Sequence, residues 1–197
     1  MEDMFDLDNP LTAQRIFRNV MNSFAHPFRV YSLTGGSRGD YSPRDCDVVI
    51  KGLCGAFLDS GVSFFMCGDE KLAADVRAET YAKPAVLEEA DFVVVKNERG
   101  VDFLEKVSAG SLVNPHKGAT VIIVVPQLAG DVNIMAEGPG INGKTSLFVH
   151  ARIAECLEKV AGLQIEYPKG FELIFLTRQG DICSVPRHIN VYRGEAG

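Results

Sequence analysis

Apolar residues recur every three or four positions at Ile16, Phe17, Val20, Met21 and Phe24, so the chain is expected to open on an amphipathic helix. Asn9 and Pro10 suit its start. His26-Pro27 suits its end, because the residue before a proline avoids the α region. FRVYSL (residues 28–33) then reads as a strand and TGGSRGDYSP (residues 34–43) as a loop. Residues 45–58 read as a mostly apolar, buried helix that stops at the turn Asp59-Ser60-Gly61, and VSFFM (residues 62–66) is the next strand.

The second half repeats this alternation. A charged helix over residues 69–79 precedes the strand DFVVV (residues 91–95), a short helix over residues 103–107 and the loop AGSLVNPHKG (residues 109–118). ATVIIVV (residues 119–125) is the strongest strand in the chain, and residues 131–137 form another. After the glycine turn a helix is expected with Leu147, Phe148, Ala151, Ala154, Leu157 and Val160 on one face. FELIFLT and ICSVP, separated by the polar turn RQGD, predict a hairpin. The pattern implies an α/β or α+β domain, a mixed sheet flanked by helices, occupying residues 1–197 as one unit.

Composition narrows the function classes. A net charge of −6 argues against a nucleic-acid or anionic-membrane surface, which would want a basic face. The acidic start MEDMFDLDNP is unlike a secretion signal, and no apolar run is long enough to span a bilayer, so a cytoplasmic protein is expected. Five cysteines without a C-x-x-C pair fit neither a disulfide framework nor a zinc or iron–sulfur site, and buried reduced thiols are the default. His26, His150 and His188 share no metal-like spacing.

One string carries a chemical suggestion. GPGINGKT (residues 138–145) satisfies the phosphate-binding pattern G-x-x-x-x-G-K-[ST]. Gly138, Gly143, Lys144 and Thr145 fill its fixed places, and a helix starting at the loop would favour an anion at its N-terminus. The surroundings do not match. One helix and one hairpin follow where several βα units are normal, and no apolar strand ends in the Asp that would hold Mg²⁺. Gly138-Pro139-Gly140 is therefore read first as a strand-to-helix turn, with Lys144 and Thr145 as helix-start residues and Thr145 or Ser146 as N-cap.

Several segments, quoted in chain order, resemble the PhnH family, the H subunit of the carbon–phosphorus lyase system. They are QRIFR (residues 14–18), Ala25 to Pro27, LDSGVSFF (residues 58–65), GSLVNP (residues 110–115) and GATVIIVV (residues 118–125). EGPGI (residues 137–141), YPKGFEL (residues 167–173) and VPRH (residues 185–188) complete the set. They run in family order from residue 11 to about residue 192. Phe28 stands where a glycine is common in the family, and Gly-Lys-Thr is not part of its pattern.

The resemblance implies a cytoplasmic homodimer whose α/β fold is similar to the large domain of pyridoxal-phosphate (PLP) transferases, without binding PLP. It implies assembly with the G, I and J subunits of the phosphonate-degrading complex. With G, I and L, the H subunit is assigned to displacing adenine from MgATP with an alkylphosphonate, giving a ribose 1-alkylphosphonate 5-triphosphate. The family supplies no catalytic residues for this subunit.

The candidate ligand or anion contacts are Gly138, Gly140, Gly143, Lys144, Thr145, Arg187 and His116. Arg187 after Pro186 suits a bidentate clamp on phosphate or carboxylate, or a structural salt bridge or subunit contact. His116 and Lys117 form a small basic patch, either an anion site or a solvated turn. Arg18 is expected in a buried polar network or a dimer contact, and Glu137 as an orienting group or an exposed strand-end carboxylate. Lys51, Lys71, Lys144 and Lys169 are the candidates for a Schiff base, though none has a context that would depress its pKa. A phosphonate-complex subunit, a stand-alone nucleotide or phosphate enzyme built on GPGINGKT, and a PLP enzyme are the three readings.

Overall fold

A computed structural model describes residues 9–34, 46–96 and 100–194 of the chain. The opening helix, α1 (Pro10–Ala25), begins where expected, with the Asn9 side chain accepting the Leu11 N–H and Pro10 in the first turn. The strand expected over residues 28–33 is reduced to β1 (Tyr31–Ser32). It follows a left-handed residue, Phe28 at φ 66°, which breaks the extended run. Most of the loop expected at residues 34–43, and the first residue of the helix expected from residue 45, lie outside the described residues.

The next elements are α2 (Cys46–Phe57), β2 (Ser63–Cys67), α3 (Glu70–Thr80), the two-residue β3 (Lys83–Pro84) and β4 (Phe92–Val95). The short helix expected near residue 103 is a 3-10 helix, Asp102–Lys106, and the following loop contains a second, Pro115–Lys117. Then come β5 (Thr120–Val125), β6 (Ala129–Glu137), β7 (Lys144–Val149) and α4 (Ala151–Gly162). The expected hairpin forms from β8 (Glu172–Thr177) and β9 (Asp181–Val185), and β10 (Asn190–Arg193) closes the described chain.

The seven-stranded main sheet runs β1-β9-β8-β5-β4-β2-β3. Strands β3, β2, β4, β5 and β8 are mutually parallel, and β9 turns back antiparallel at one side. A second sheet, β10-β6-β7, is antiparallel throughout. The main strands are apolar on both faces because both are covered. Val94, Ile122, Ile174 and Ile182 pack in one core with Ile16, Ile50, Leu53 and Leu72 of α1, α2 and α3. Val93, Val121, Ile123, Phe175 and Cys183 pack in the other with Ile153 and Leu157 of α4, Leu104 and Ile134. Residues adjacent in a strand thus belong to opposite cores, as the two-residue period of a strand requires.

One expectation is overturned. Residues 144–149 form a strand, not the first turns of a helix, so the glycine turn joins two antiparallel strands. Lys144 and Thr145 do not start a helix, and neither Thr145 nor Ser146 is its N-cap. That place belongs to His150, whose imidazole nitrogen accepts the Arg152 N–H at 3.1 Å. Within the strand Thr145, Leu147 and Val149 are the more buried and Lys144, Ser146 and Phe148 the exposed set. An exposed Phe148 beside Leu147 imitates the doublet of a helical stripe. Asn142-Gly143, a frequent hairpin dipeptide, is the signal that favours the strand.

Candidate functional site

The segments that drew attention in the sequence come together at the amino end of the parallel strands. Glu172 is the first residue of β8, and Arg187 lies two residues past the end of β9, which the hairpin returns to the same end. Arg187 donates from Nε to Glu172 Oε1 at 2.6 Å and from its backbone N–H to Oε2 at 2.8 Å. Its Nη1 donates to the Pro115 carbonyl at 2.6 Å, which fixes the 3-10 turn carrying His116 and Lys117. The clamp foreseen for Arg187 is therefore closed on a carboxylate of the same chain.

Glycines let the surrounding loops approach. A Cβ on Gly118 would lie 1.9 Å from the Gly170 carbonyl oxygen, and one on Gly170 would lie 2.8 Å from Arg187 Cβ. Gly170 N–H donates to the Ala109 carbonyl at 2.8 Å, joining the loop before β8 to the loop before β5. On the other side, a Cβ on Gly140 would meet Pro27 Cδ at 2.7 Å, so the glycine turn lies against the exit of α1. Ser23 of α1 and Ser184 of β9 share a buried hydroxyl hydrogen bond of 2.5 Å. Phe28 then adopts a left-handed conformation, at φ 66°, that a glycine would adopt without cost.

Two depressions flank this knot. A groove of about 450 Å³ lies between Met21, Phe24 and Ala25 of α1, Pro139-Gly140, Glu172 and Pro186. A cleft of about 430 Å³ opens between the end of α4 and the segments around Tyr167 and His188. Its apolar floor includes Leu157, Val160 and Leu173, and Lys169, Arg187 and Asn190 are among its polar walls. The Tyr167 and His188 rings lie 4.8 Å apart at its edge.

The remaining candidates lie on the β6–β7 hairpin and on α1. Glu137 and Lys144 face each other across β6 and β7 as an ion pair at 3.5 Å. The Tyr192 hydroxyl donates to Glu137 at 2.9 Å, which holds the phenol above its ordinary pKa. The Lys144 ammonium lies 5.7 Å from the Tyr192 ring centre. Thr145 is half-buried on β7, and open space surrounds Gly143. Arg18 is exposed on α1, so of the two roles expected for it, a buried network or a dimer contact, the first is not formed. Among the four lysines considered for a Schiff base, Lys51 is ion-paired with Glu79 at 2.8 Å.

At the opposite, carboxyl end of the sheet, Lys96 follows β4 and bridges Asp47 of α2 and Asp69, the N-cap of α3. Burial opposes the charge on Lys96, but hydrogen bonds to the two carboxylates outweigh it and raise its pKa. The Lys96 hydrogen bond, then the Leu72 N–H, pull the Asp69 carboxyl below its usual value. Burial pushes the thiols of Cys54 and Cys183 up to about 12 and that of Cys156 to about 11, so all three are protonated at neutral pH. Among the described residues no three His, Cys, Asp or Glu side chains are grouped to hold a metal ion.

Sequence reasoning singled out Arg187 and His116 but not Glu172, Gly118 and Gly170, which explain how Arg187 is held. The two-strand register supplies the missing link, because it pairs Leu173 with Val185 and so brings Glu172 and Arg187 to the same end. No helix among the described residues is long and apolar enough to cross a membrane.

The loop before β5, the loop before β8 and the segment after β9 thus meet around one half-buried pairing, with the glycine turn and the exit of α1 beside it. Comparison with known proteins agrees with the resemblance read in the sequence. The chain is 25% identical over 182 residues to a candidate C-P lyase subunit protein, HtxG of Stutzerimonas stutzeri, covering 90% of this chain and 86% of that protein. The family described as bacterial phosphonate metabolism protein (PhnH) matches residues 6–192, and this chain belongs to that family.

Proposed function

We propose that this protein is a cytoplasmic, homodimeric subunit of a carbon–phosphorus lyase complex. It supports displacement of adenine from MgATP by an alkylphosphonate, giving a ribose 1-alkylphosphonate 5-triphosphate. It works with G, I, J and L subunits, carries no cofactor of its own, and takes MgATP only as a substrate of the assembly. Family membership supports the phosphonate role. The observation that carries the subunit role is the chemistry of the Arg187 knot. Its guanidinium and its carboxylate are already spent on each other and on the Pro115 carbonyl, so the family motifs build shape. A shaped surface with neutralised charges suits assembly better than acid–base or nucleophilic work.

The test is reconstitution. Adenine released from MgATP and methylphosphonate is measured by chromatography for the complete set of subunits, for the set without this chain, and for this chain alone. The complete set is expected to act, with at least a tenfold loss when this chain is left out and no release by this chain alone. Full activity without it, or release by it alone, overturns the reading. Lys144→Ala is expected to restore the set as well as the wild type does. Its ammonium is engaged by Glu137 on a strand, where the phosphate-binding pattern needs a helix start.

A further inference from the structure

The loop before β5 holds two apolar side chains out in water. Leu112 is 56% exposed and Val113 is 85% exposed, at the tip of residues 109–118. An apolar tip on a loose loop would be unremarkable, but this loop is fixed along its length. Ser111 N–H donates to the Asn114 carbonyl at 3.2 Å, and Asn114 N–H returns to Ser111 Oγ at 3.0 Å. Ser108 Oγ holds the Lys117 carbonyl at 3.2 Å, and Arg187 holds that of Pro115. Gly110, at φ 72°, permits a turn in which a Cβ would meet three backbone atoms at 2.9 Å.

Because folding has already ordered this tip, a partner that covers it loses little loop entropy on binding. The charge around it gives the partner's chemistry. Residues 109–118 contain His116 and Lys117 and no Asp or Glu, in a chain whose net charge is −6. Gly170 and Arg187 bring the segments of Lys169 and His188 alongside; Glu166 and Glu172 each lie three residues from Lys169, and Glu172 is already paired with Arg187.

We propose that the Leu112-Val113 tip docks into an apolar socket, rimmed with carboxylates, on another subunit of the carbon–phosphorus lyase complex. The inference rests on the subunit reading above and adds the surface that makes the contact. A second copy of this chain is the poorer occupant. A two-fold contact through this patch would set the same cationic loop against itself.

The experiment measures the affinity of the full-length chain for the co-expressed remaining subunits, comparing wild type, Val113→Asp and Lys117→Glu. Both side chains are exposed, so both variants are expected to keep the wild-type melting temperature and elution volume. Val113→Asp is expected to weaken association by about thirtyfold or more, as for a central anchor residue. Lys117→Glu is expected to weaken it and flatten its salt dependence. Wild-type affinity in Val113→Asp overturns the docking tip while leaving the subunit reading intact. Failure of the wild type to associate with any subunit overturns the subunit reading itself, and this inference with it. A smaller particle for Val113→Asp alone, with subunit affinity retained, assigns the tip to a contact between copies and also overturns the proposal.

Discussion

Arg187 uses its guanidinium as a bracket. One edge meets the Glu172 carboxylate and another atom reaches the Pro115 carbonyl, while its own backbone N–H takes the second carboxylate oxygen. The pair is about four-fifths buried, with side-chain exposures of 20% and 23%, so solvent screens it only in part. Removing one partner strands the other charge at the start of a central strand, the costly way to break such a pair. Arg187→Ala is therefore expected to lose about 3 kcal/mol of stability, and Arg187→Lys about 1–2 kcal/mol, because an ammonium lacks the planar fork. Urea denaturation curves give both values. A change below about 0.5 kcal/mol for Arg187→Ala, the size expected for an ordinary surface substitution, would show that the bracket is ornamental.

Elements built on a single strong period were legible in the sequence. Helix α1 is framed by Asn9-Pro10 and His26-Pro27, strand β5 is an unbroken β-branched run, and the β8–β9 hairpin is two largely apolar runs about a polar turn. Strand β7 was not legible, because its outward Phe148 stands beside Leu147 and Ala151 at helical spacing. The two-residue strands β1 and β3 carry no period at all and exist because neighbours pair with them. The site followed the same division, since Arg187 stood out as a residue while the close approach at Gly118 and Gly170 is a tertiary fact. Another such fact invites a test at the end of α3. Tyr81 caps it in the left-handed region at φ 61°, donating its N–H to Arg77, with a side chain 76% exposed. Glycine adopts that conformation without strain, although it is more flexible when unfolded. Tyr81→Gly is expected to gain about 0.5–1 kcal/mol, raising the melting temperature by roughly 1–4 °C. A lower melting temperature would mean that the exposed ring makes a contribution larger than the backbone strain.

At the scale of the whole molecule, the two ends of the main sheet are each closed by an ion cluster, Arg187 at the amino end and Lys96 at the carboxyl end. The second makes stability depend on acidity in a definite direction. Asp69 has a folded pKa below its ordinary value of 3.8, chiefly through its hydrogen bond from Lys96 and then through the Leu72 N–H. The unfolded chain therefore binds this proton more readily than the folded one. Its contribution is fully present above the ordinary value and is lost as the pH falls through the folded value. Asp69→Asn keeps an oxygen to cap α3 but removes the charge that meets Lys96. The variant is expected to be less stable than wild type at pH 5–7, and the gap should narrow steadily below about pH 4 as the wild-type carboxyl is protonated. Urea unfolding of both proteins at pH 7, 5, 3.5 and 2.5 traces this convergence. A gap that stays constant across the series would mean that its source is not the charge on Asp69, with the Lys96 pair contributing nothing to the stability of the fold.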